Sequence, residues 1–217
     1  MKAIENPFDS PDIALGYEDW YHNTGKDAAR QEKALLKALL RQADGVKTIL
    51  DVGCGTGYFT GWYQQLGLSA VGLDRSRLMI QQAQQNHAMA CILGDAHNLP
   101  FPAKAFDLVS IITTLEFLRD PAVVIGEGER VARRGLLLGV INRHSLLGCR
   151  YRKKGGPIWG SAALYTPGEL LRLVRMNIAH PHKILYRTTL WPIFDGRSKL
   201  PWGGFIGMLV ILKPKER

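Results

Sequence analysis

Three glycines at alternate positions, Gly53, Gly55 and Gly57, lie between an apolar run, Thr48-Ile49-Leu50-Asp51-Val52, and a helix-compatible stretch that starts at Tyr58. Glycine is needed where a chain turns sharply and where a ligand must approach the backbone without a Cβ in the way. A helix that begins just after such a turn points its unpaired N–H groups and positive dipole end back at the loop. The combination accepts a nucleotide-like ligand or a carboxylate. The next apolar run ends in Asp74, 21 residues beyond Gly53, where an acid can accept hydrogen bonds from two ribose hydroxyls.

These features also fit a dinucleotide-binding loop, and two details separate the readings. The dinucleotide fingerprint is GxGxxG, whereas the third glycine here comes one residue sooner and Tyr58 follows it, which serves a pyrophosphate less well. Asp51, two residues before the first glycine, would repel a pyrophosphate but favours a cationic ligand. A sulfonium carrying an amino-acid tail is such a ligand.

The loop needs strands and helices to hold it, and the sequence alternates accordingly. Strand candidates are 48–52, Ala70 to Asp74, Cys91 to Leu93, Phe106 to Ile112 and Gly135 to Ile141. Helices are expected over Asp27 to Gln42 (stripe Ala28, Leu35, Leu36, Leu39, Leu40), Tyr58 to Leu66, Ser76 to Asn86 and, capped by Asp120, up to about Ala132. Strands apolar nearly throughout are buried on both faces, which indicates an open parallel sheet covered by helices on both sides. Residues 1 to 25 read as an irregular arm, and the glycines of 143–165 break the rhythm. A capping box at Thr166-Pro167-Gly168-Glu169 then opens a helix to about Met176. His182 to Thr189 and Phe205 to Leu212 read as closing strands, joined by a loose connection carrying Trp191, Pro192, Pro201 and Trp202.

The 217 residues are 46% hydrophobic and 22% charged, which excludes collagen-like and disordered chains. Cys54, Cys91 and Cys149 are odd in number and far apart in sequence, so a disulfide framework and a structural zinc site are not expected. No apolar run approaches a membrane span, and the N-terminus lacks a signal peptide's apolar segment, so a cytoplasmic protein is expected. The net charge of +9 is uneven: residues 1–142 carry 14 Lys and Arg against 16 Asp and Glu, whereas residues 143–217 carry 14 against 3. The basic third, with Arg150-Tyr151-Arg152-Lys153-Lys154, either faces an acidic small molecule, nucleic acid or membrane surface, or is a solvated face.

Leu50-Asp51-Val52-Gly53-Cys54-Gly55-Thr56-Gly57 resembles the first motif of class I S-adenosylmethionine-dependent methyltransferases. Val71 to Met79 resembles the second, which implies Asp74 on ribose, with Arg75 beside it and Met79 against adenine. Gly94-Asp95-Ala96-His97-Asn98-Leu99-Pro100-Phe101 resembles the third, which implies Asp95 at the adenine amino group, with Ala96 also at the cofactor. Phe106-Asp107-Leu108-Val109 followed by Thr113-Thr114-Leu115-Glu116-Phe117 is similar to the fourth strand and the loop lining the methyl-transfer site, placing Thr113 at the cofactor. The subgroup resembled contains the ubiquinone and menaquinone biosynthesis methyltransferases. Tyr17-Glu18-Asp19-Trp20-Tyr21 resembles its N-terminal arm, so Tyr21, with Tyr17 and Trp20, is expected to close over the cofactor or to staple the arm to the core.

The resemblance implies an α/β, Rossmann-like, seven-stranded, mostly parallel sheet with helices on both faces, and one domain over 1–217. Within it, 1–45 is arm and helix, 46–142 the cofactor-binding core, and 143–217 the acceptor-side insertion and closing strands. The cofactor implied is S-adenosyl-L-methionine, held by Asp51, Gly53, Cys54, Gly55, Gly57, Asp74, Arg75, Met79, Asp95, Ala96, Thr113 and Tyr21, with Cys54 a small filler and not a nucleophile. The acceptor expected is a small anionic or amphiphilic molecule. An RNA or tRNA acceptor and a non-catalytic S-adenosylmethionine-binding module are the alternatives. Methyl transfer from a sulfonium is a direct displacement needing alignment and water exclusion, so no catalytic residue is singled out. His22, His144, Tyr165 and Glu116 are the candidates for an acceptor-side base. Relatives often carry His where Thr113, Thr114 or Leu115 stands here, and residues 143–203 match no motif.

Overall fold

A computed structural model of the chain describes residues 6–87, 90–179, 181–190 and 200–213; Trp191 and Pro192 of the expected loose connection lie outside them. Seven strands form one sheet: β1 (Thr48–Val52), β2 (Ser69–Asp74), β3 (Cys91–Leu93), β4 (Phe106–Ile112), β5 (Ala132–Ile141), β6 (Pro181–Thr189) and β7 (Phe205–Leu212). Their spatial order is β3-β2-β1-β4-β5-β7-β6. The first five pair parallel, and β7 runs antiparallel to both β5 and β6. The strand order reverses between β1 and β4, and a parallel sheet opens its ligand crevice at the carboxyl ends of the strands at that point.

Alternate side chains of each strand feed two separate cores, as a pleat requires. Leu50, Val109, Leu136, Leu138 and Val210 pack against α5 (Pro121–Val131) and α8 (Pro167–Asn177). Ile49, Leu108, Leu137, Phe205 and Leu209 pack against α2 (Lys26–Leu40) and α3 (Tyr58–Gln65). The helix α4 (Arg77–His87) follows β2. Burial of both strand faces is what the near-continuous apolar runs required.

Three local expectations are corrected. The arm is not irregular: after a 3-10 turn at Pro7–Asp9 it forms α1 (Pro11–His22), with Pro11 in the first turn and a buried stripe of Ala14, Glu18 and Tyr21 at i, i+4 and i+7. That stripe contains an acid and an aromatic, so an aliphatic pattern does not reveal it. Residues 143–165 contain α6 (Leu146–Lys154) and α7 (Gly156–Trp159). Ser145 caps α6 by accepting from the Gly148 N–H, and Arg152, Lys153 and Lys154 occupy its last turn, where cations suit the dipole. On α2 the buried alanine is Ala29, not Ala28, and Glu32 is buried with it.

Candidate active site

The glycine loop is held by backbone bonds to the neighbouring strand. The Gly53 and Cys54 N–H groups both donate to the Leu73 carbonyl, at 2.7 and 3.1 Å. Gly53 has φ of +72°, and a Cβ built on it would lie 2.9 Å from the Thr114 Cβ and closer still to that side chain's outer atoms. No larger residue fits the turn. Gly57, at φ +88°, is the N-cap of α3, and it starts the helix.

Asp74 ends β2 and organises the loop through both carboxylate oxygens. Its Oδ2 accepts the Gly55 N–H at 2.9 Å, and its Oδ1 accepts the Ser76 N–H at 2.8 Å. Burial raises its pKa and those two amides oppose the rise. A carboxylate has about four lone-pair sites, and with the Arg75 amide also beside it acceptor capacity remains for a ligand. Asp95, more exposed, accepts the His97 N–H at 3.0 Å and pairs with His97 Nδ1 at 2.7 Å; these contacts hold its pKa down.

A cavity of about 540 Å³ runs over the carboxyl ends of the strands, bringing together Gly53, Gly55, Asp74, Arg75, Met79, Asp95, Ala96 and Thr113. Thr113 sits just after β4 at φ +47°, a conformation a β-branched residue adopts only when its surroundings enforce it. The Ser76 hydroxyl donates to the Phe8 carbonyl at 2.8 Å, tying the N-terminal segment to the end of β2. Phe8 then meets Tyr17 and Phe117 edge-on at 5.9 and 5.0 Å, and all three line the same cavity.

A second, smaller space of about 30 Å³ adjoins the loop and is lined by Asp51, Cys54, Tyr17 and Tyr21. Tyr21 is therefore placed at this smaller space, stacked on Tyr58 at 3.9 Å, while Tyr17 reaches both spaces. Asp51 is 2% exposed and accepts the Thr60 hydroxyl at 2.7 Å. Burial pushes its pKa up to about 7, with the Thr60 and Ser110 hydroxyls holding it partly down. A buried carboxylate with only hydroxyl partners fits a cationic ligand end. Among the described residues no group of three or more His, Cys, Asp or Glu could hold a metal.

Of the four candidate bases, only Glu116 is deeply buried. His22 is largely exposed beside Glu18, His144 is exposed, and the Tyr165 hydroxyl donates to the Leu115 carbonyl at 3.4 Å. Glu116 follows β4 at 1% exposure; its Oε1 accepts the Ile141 N–H at 2.7 Å and its Oε2 has no partner. Burial raises it to about 7. Sequence reasoning missed Glu32 on α2, raised to about 8 by burial and by Glu116. It also missed Phe8 as a wall of the cavity; the proline-capped start of α1 was the available signal for that segment.

The reversal of strand order, the antiparallel β7 and a cavity built on the first glycine loop define the class I, Rossmann-like methyltransferase architecture. Comparison with known proteins agrees. Residues 50–138 match the methyltransferase domain family. The chain is 31% identical to an uncharacterized protein of Methanocaldococcus jannaschii over 69% of this chain and 68% of that one. It is 32% identical to the malonyl-(acyl-carrier protein) O-methyltransferase of Hamiltonella defensa over 57% of this chain, spanning about half (48%) of that relative's length. A Thermotoga maritima S-adenosylmethionine-dependent methyltransferase, described as a possible histamine N-methyltransferase, superposes with a TM-score of 0.80 at 23% identity, over 97% of this chain and 100% of that one. The magnesium protoporphyrin IX methyltransferase of Synechocystis, solved with bound S-adenosylhomocysteine, superposes at 0.59 with 18% identity over 91% of this chain and 98% of that one. The chain belongs to the class I S-adenosylmethionine-dependent methyltransferases. It is an enzyme, and its cofactor is S-adenosylmethionine. Among the described residues no helix is long and apolar enough to cross a membrane.

Proposed function

We propose that this chain holds S-adenosylmethionine across the carboxyl ends of β1, β2 and β3 and methylates a small anionic or amphiphilic acceptor presented at the aromatic rim of Phe8, Tyr17 and Phe117. The observation that carries this reading is the single cavity joining the glycine loop, Asp74, Asp95 and Thr113. Asp74 accepts from the ribose hydroxyls, with Arg75 beside it. Met79, Asp95 and Ala96 receive the adenine. Gly53, Gly55 and Gly57 shape the loop, and Asp51, Cys54 and Tyr21 face the amino-acid tail through the smaller space. Thr113 borders the transfer point. When bound, the cofactor supplies an electrophilic methyl on a positively charged sulfur. The protein's part is to align acceptor and sulfur and to exclude water, a task suited to the apolar rings of Phe8, Tyr17 and Phe117 that line the cavity.

The anionic acceptor is supported by the basic third and by the position of α6. Trp159 of α7 stacks on Tyr151 of α6 at 4.0 Å and meets Phe117 at 5.9 Å, so Arg150, Arg152, Lys153 and Lys154 stand beyond the rim on solvent-facing turns. The Hamiltonella defensa relative is named for a malonyl group, a carboxylate-bearing acyl group and an acceptor of this kind. Glu116 and Glu32 do not repel it while protonated. As pH rises through about 7 and then about 8 both become charged, so KM for an anionic acceptor is expected to rise over that range. Glu116→Gln, which keeps an oxygen for the Ile141 N–H, should flatten the rise; an identical pH profile in the variant would separate Glu116 from the acceptor.

Calorimetric titration tests the cofactor assignment directly. A cation beside Asp51 lowers a pKa that is about 7 in the free protein, so binding near neutral pH releases protons and affinity increases as pH rises toward that value. Titrating S-adenosylhomocysteine and S-adenosylmethionine in buffers of different ionisation enthalpy should show proton release that disappears in Asp51→Asn. Heat independent of buffer would remove the cationic tail from Asp51, and uptake of a nicotinamide dinucleotide in place of the methyl donor would overturn the whole reading.

A further inference from the structure

The two thiols that the sequence keeps 37 residues apart meet over the middle of the sheet edge. At Gly72, β2 pairs with Asp51 of β1 on one side and with Cys91 of β3 on the other. Gly72 has no side chain, and a Cβ built there would lie 2.7 Å from the Cys54 sulfur and 3.1 Å from the Cys91 sulfur. The sum of those distances bounds the separation of the sulfurs at 5.8 Å. Both thiols fill the place of the missing side chain.

Their environments differ in a way that assigns roles. Cys54 is 8% exposed in the glycine loop; its thiol donates to the Gly55 carbonyl at 3.8 Å, and the neighbouring Cys91 and burial push its pKa up. Cys91 is half-buried on the edge strand, beside Ile92 and Leu93, which are 37% and 47% exposed. The proximity of Cys54 lowers its pKa. The more acidic, more accessible thiol is the one an oxidant reaches first.

We propose that Cys54 and Cys91 form an oxidation-sensitive pair whose disulfide lowers the protein's affinity for its cofactor. With hydrogen peroxide as oxidant, the Cys91 thiolate attacks one peroxide oxygen and the O–O bond breaks, leaving a sulfenic acid and water once a proton is taken up. The Cys54 sulfur then displaces that hydroxyl as a second water and the S–S bond forms. Two thiols lose two electrons and two protons, and one peroxide becomes two waters. Bridged sulfurs stand about 2.05 Å apart, so the bond draws Cys54 toward β3. Gly53 and Gly55 flank Cys54 and line the cavity, and Gly55 supplies the N–H that Asp74 holds. The loss of affinity rests on the cofactor reading above; the disulfide does not.

The two parts are read separately in one experiment. Reduced protein is treated with graded hydrogen peroxide, unfolded, alkylated and mapped by mass spectrometry, while S-adenosylhomocysteine binding is followed by calorimetry. A peptide cross-linked through Cys54 and Cys91 is expected before Cys149 is modified, with Kd raised about 5- to 150-fold, the size of an ordinary coupling between two sites, and restored by dithiothreitol. Cys91→Ser leaves the glycine loop intact and should bind as the reduced protein does before and after peroxide. If Cys54 and Cys91 both stay alkylatable at doses that oxidise Cys149, the pairing is wrong. If the cross-link forms and Kd does not change, the switch is wrong although the pair exists. If reduced protein does not bind S-adenosylhomocysteine, the failure lies in the cofactor reading and the switch falls with it, while the cross-link still tests the pair.

Discussion

Asp74→Ala is expected to weaken S-adenosylmethionine binding by about 1–3 kcal/mol, the cost of leaving polar groups unpaired in a dry site, or about 5- to 150-fold in Kd. The effect has two sources. The variant loses the acceptors proposed for the ribose hydroxyls. It also frees the Gly55 and Ser76 N–H groups that the carboxylate now ties down, so the glycine loop is less ordered before the ligand arrives. Asp74→Asn retains one oxygen acceptor and should fall between the two. Calorimetry with S-adenosylhomocysteine measures the loss, and circular dichroism checks that the fold survives. An unchanged Kd would take Asp74 out of the ribose role.

Gly53→Ala is the second large effect, and it acts through the backbone. A left-handed φ costs a residue with a Cβ about 1–2 kcal/mol, and overpacking adds about 1–3 kcal/mol. The neighbour cannot easily give way, because the Thr114 hydroxyl donates to the Ile112 carbonyl at 3.0 Å and to the Gly53 carbonyl at 3.4 Å. Loss of cofactor binding and a lower denaturation midpoint are both expected. Adding Thr114→Ala removes the two closest atoms but leaves the Cβ–Cβ approach of 2.9 Å and the strained φ, so the double variant should recover only part of the loss, a coupling a double-mutant cycle resolves. Wild-type stability and affinity in the single variant would show that the turn tolerates a side chain.

The sheet was legible because its signal is local and repeated. Buried runs such as 106–112 and 135–141 mark their own strands, and the glycine loop sits at a fixed offset from them. Asp74 could be chosen because it ends a strand that the pattern identifies, whereas Met79 and Asp95 follow only from the resemblance of their segments to methyltransferase motifs. What stayed hidden depends on contacts between distant segments. The helix α1 buries Glu18 and Tyr21, residues that give no aliphatic stripe. Glu32 looks like a solvated helix acid until Glu116 is folded against the same region. Cys54 and Cys91 become neighbours only because Gly72 lies between them in the sheet, a relation that spacing along the chain does not express. The different placements of Tyr17 and Tyr21 are likewise a matter of tertiary packing.

The antiparallel strand β7 lies between β5 and β6, pairing Gly135 with Ile211 and Lys183 with Ile211 on its two sides. A ribosome therefore releases the glycine loop, both carboxylate-bearing strand ends and the central strands well before the strand that seals them. Until residues 205–212 emerge, β5 presents an open row of amides and carbonyls beside one of the most apolar stretches of the protein, a template for pairing with other nascent chains. Non-local closure of this kind is slow. The nascent enzyme thus passes through an interval in which its catalytic half is written but its sheet is unfinished, and protection from aggregation during translation matters most there.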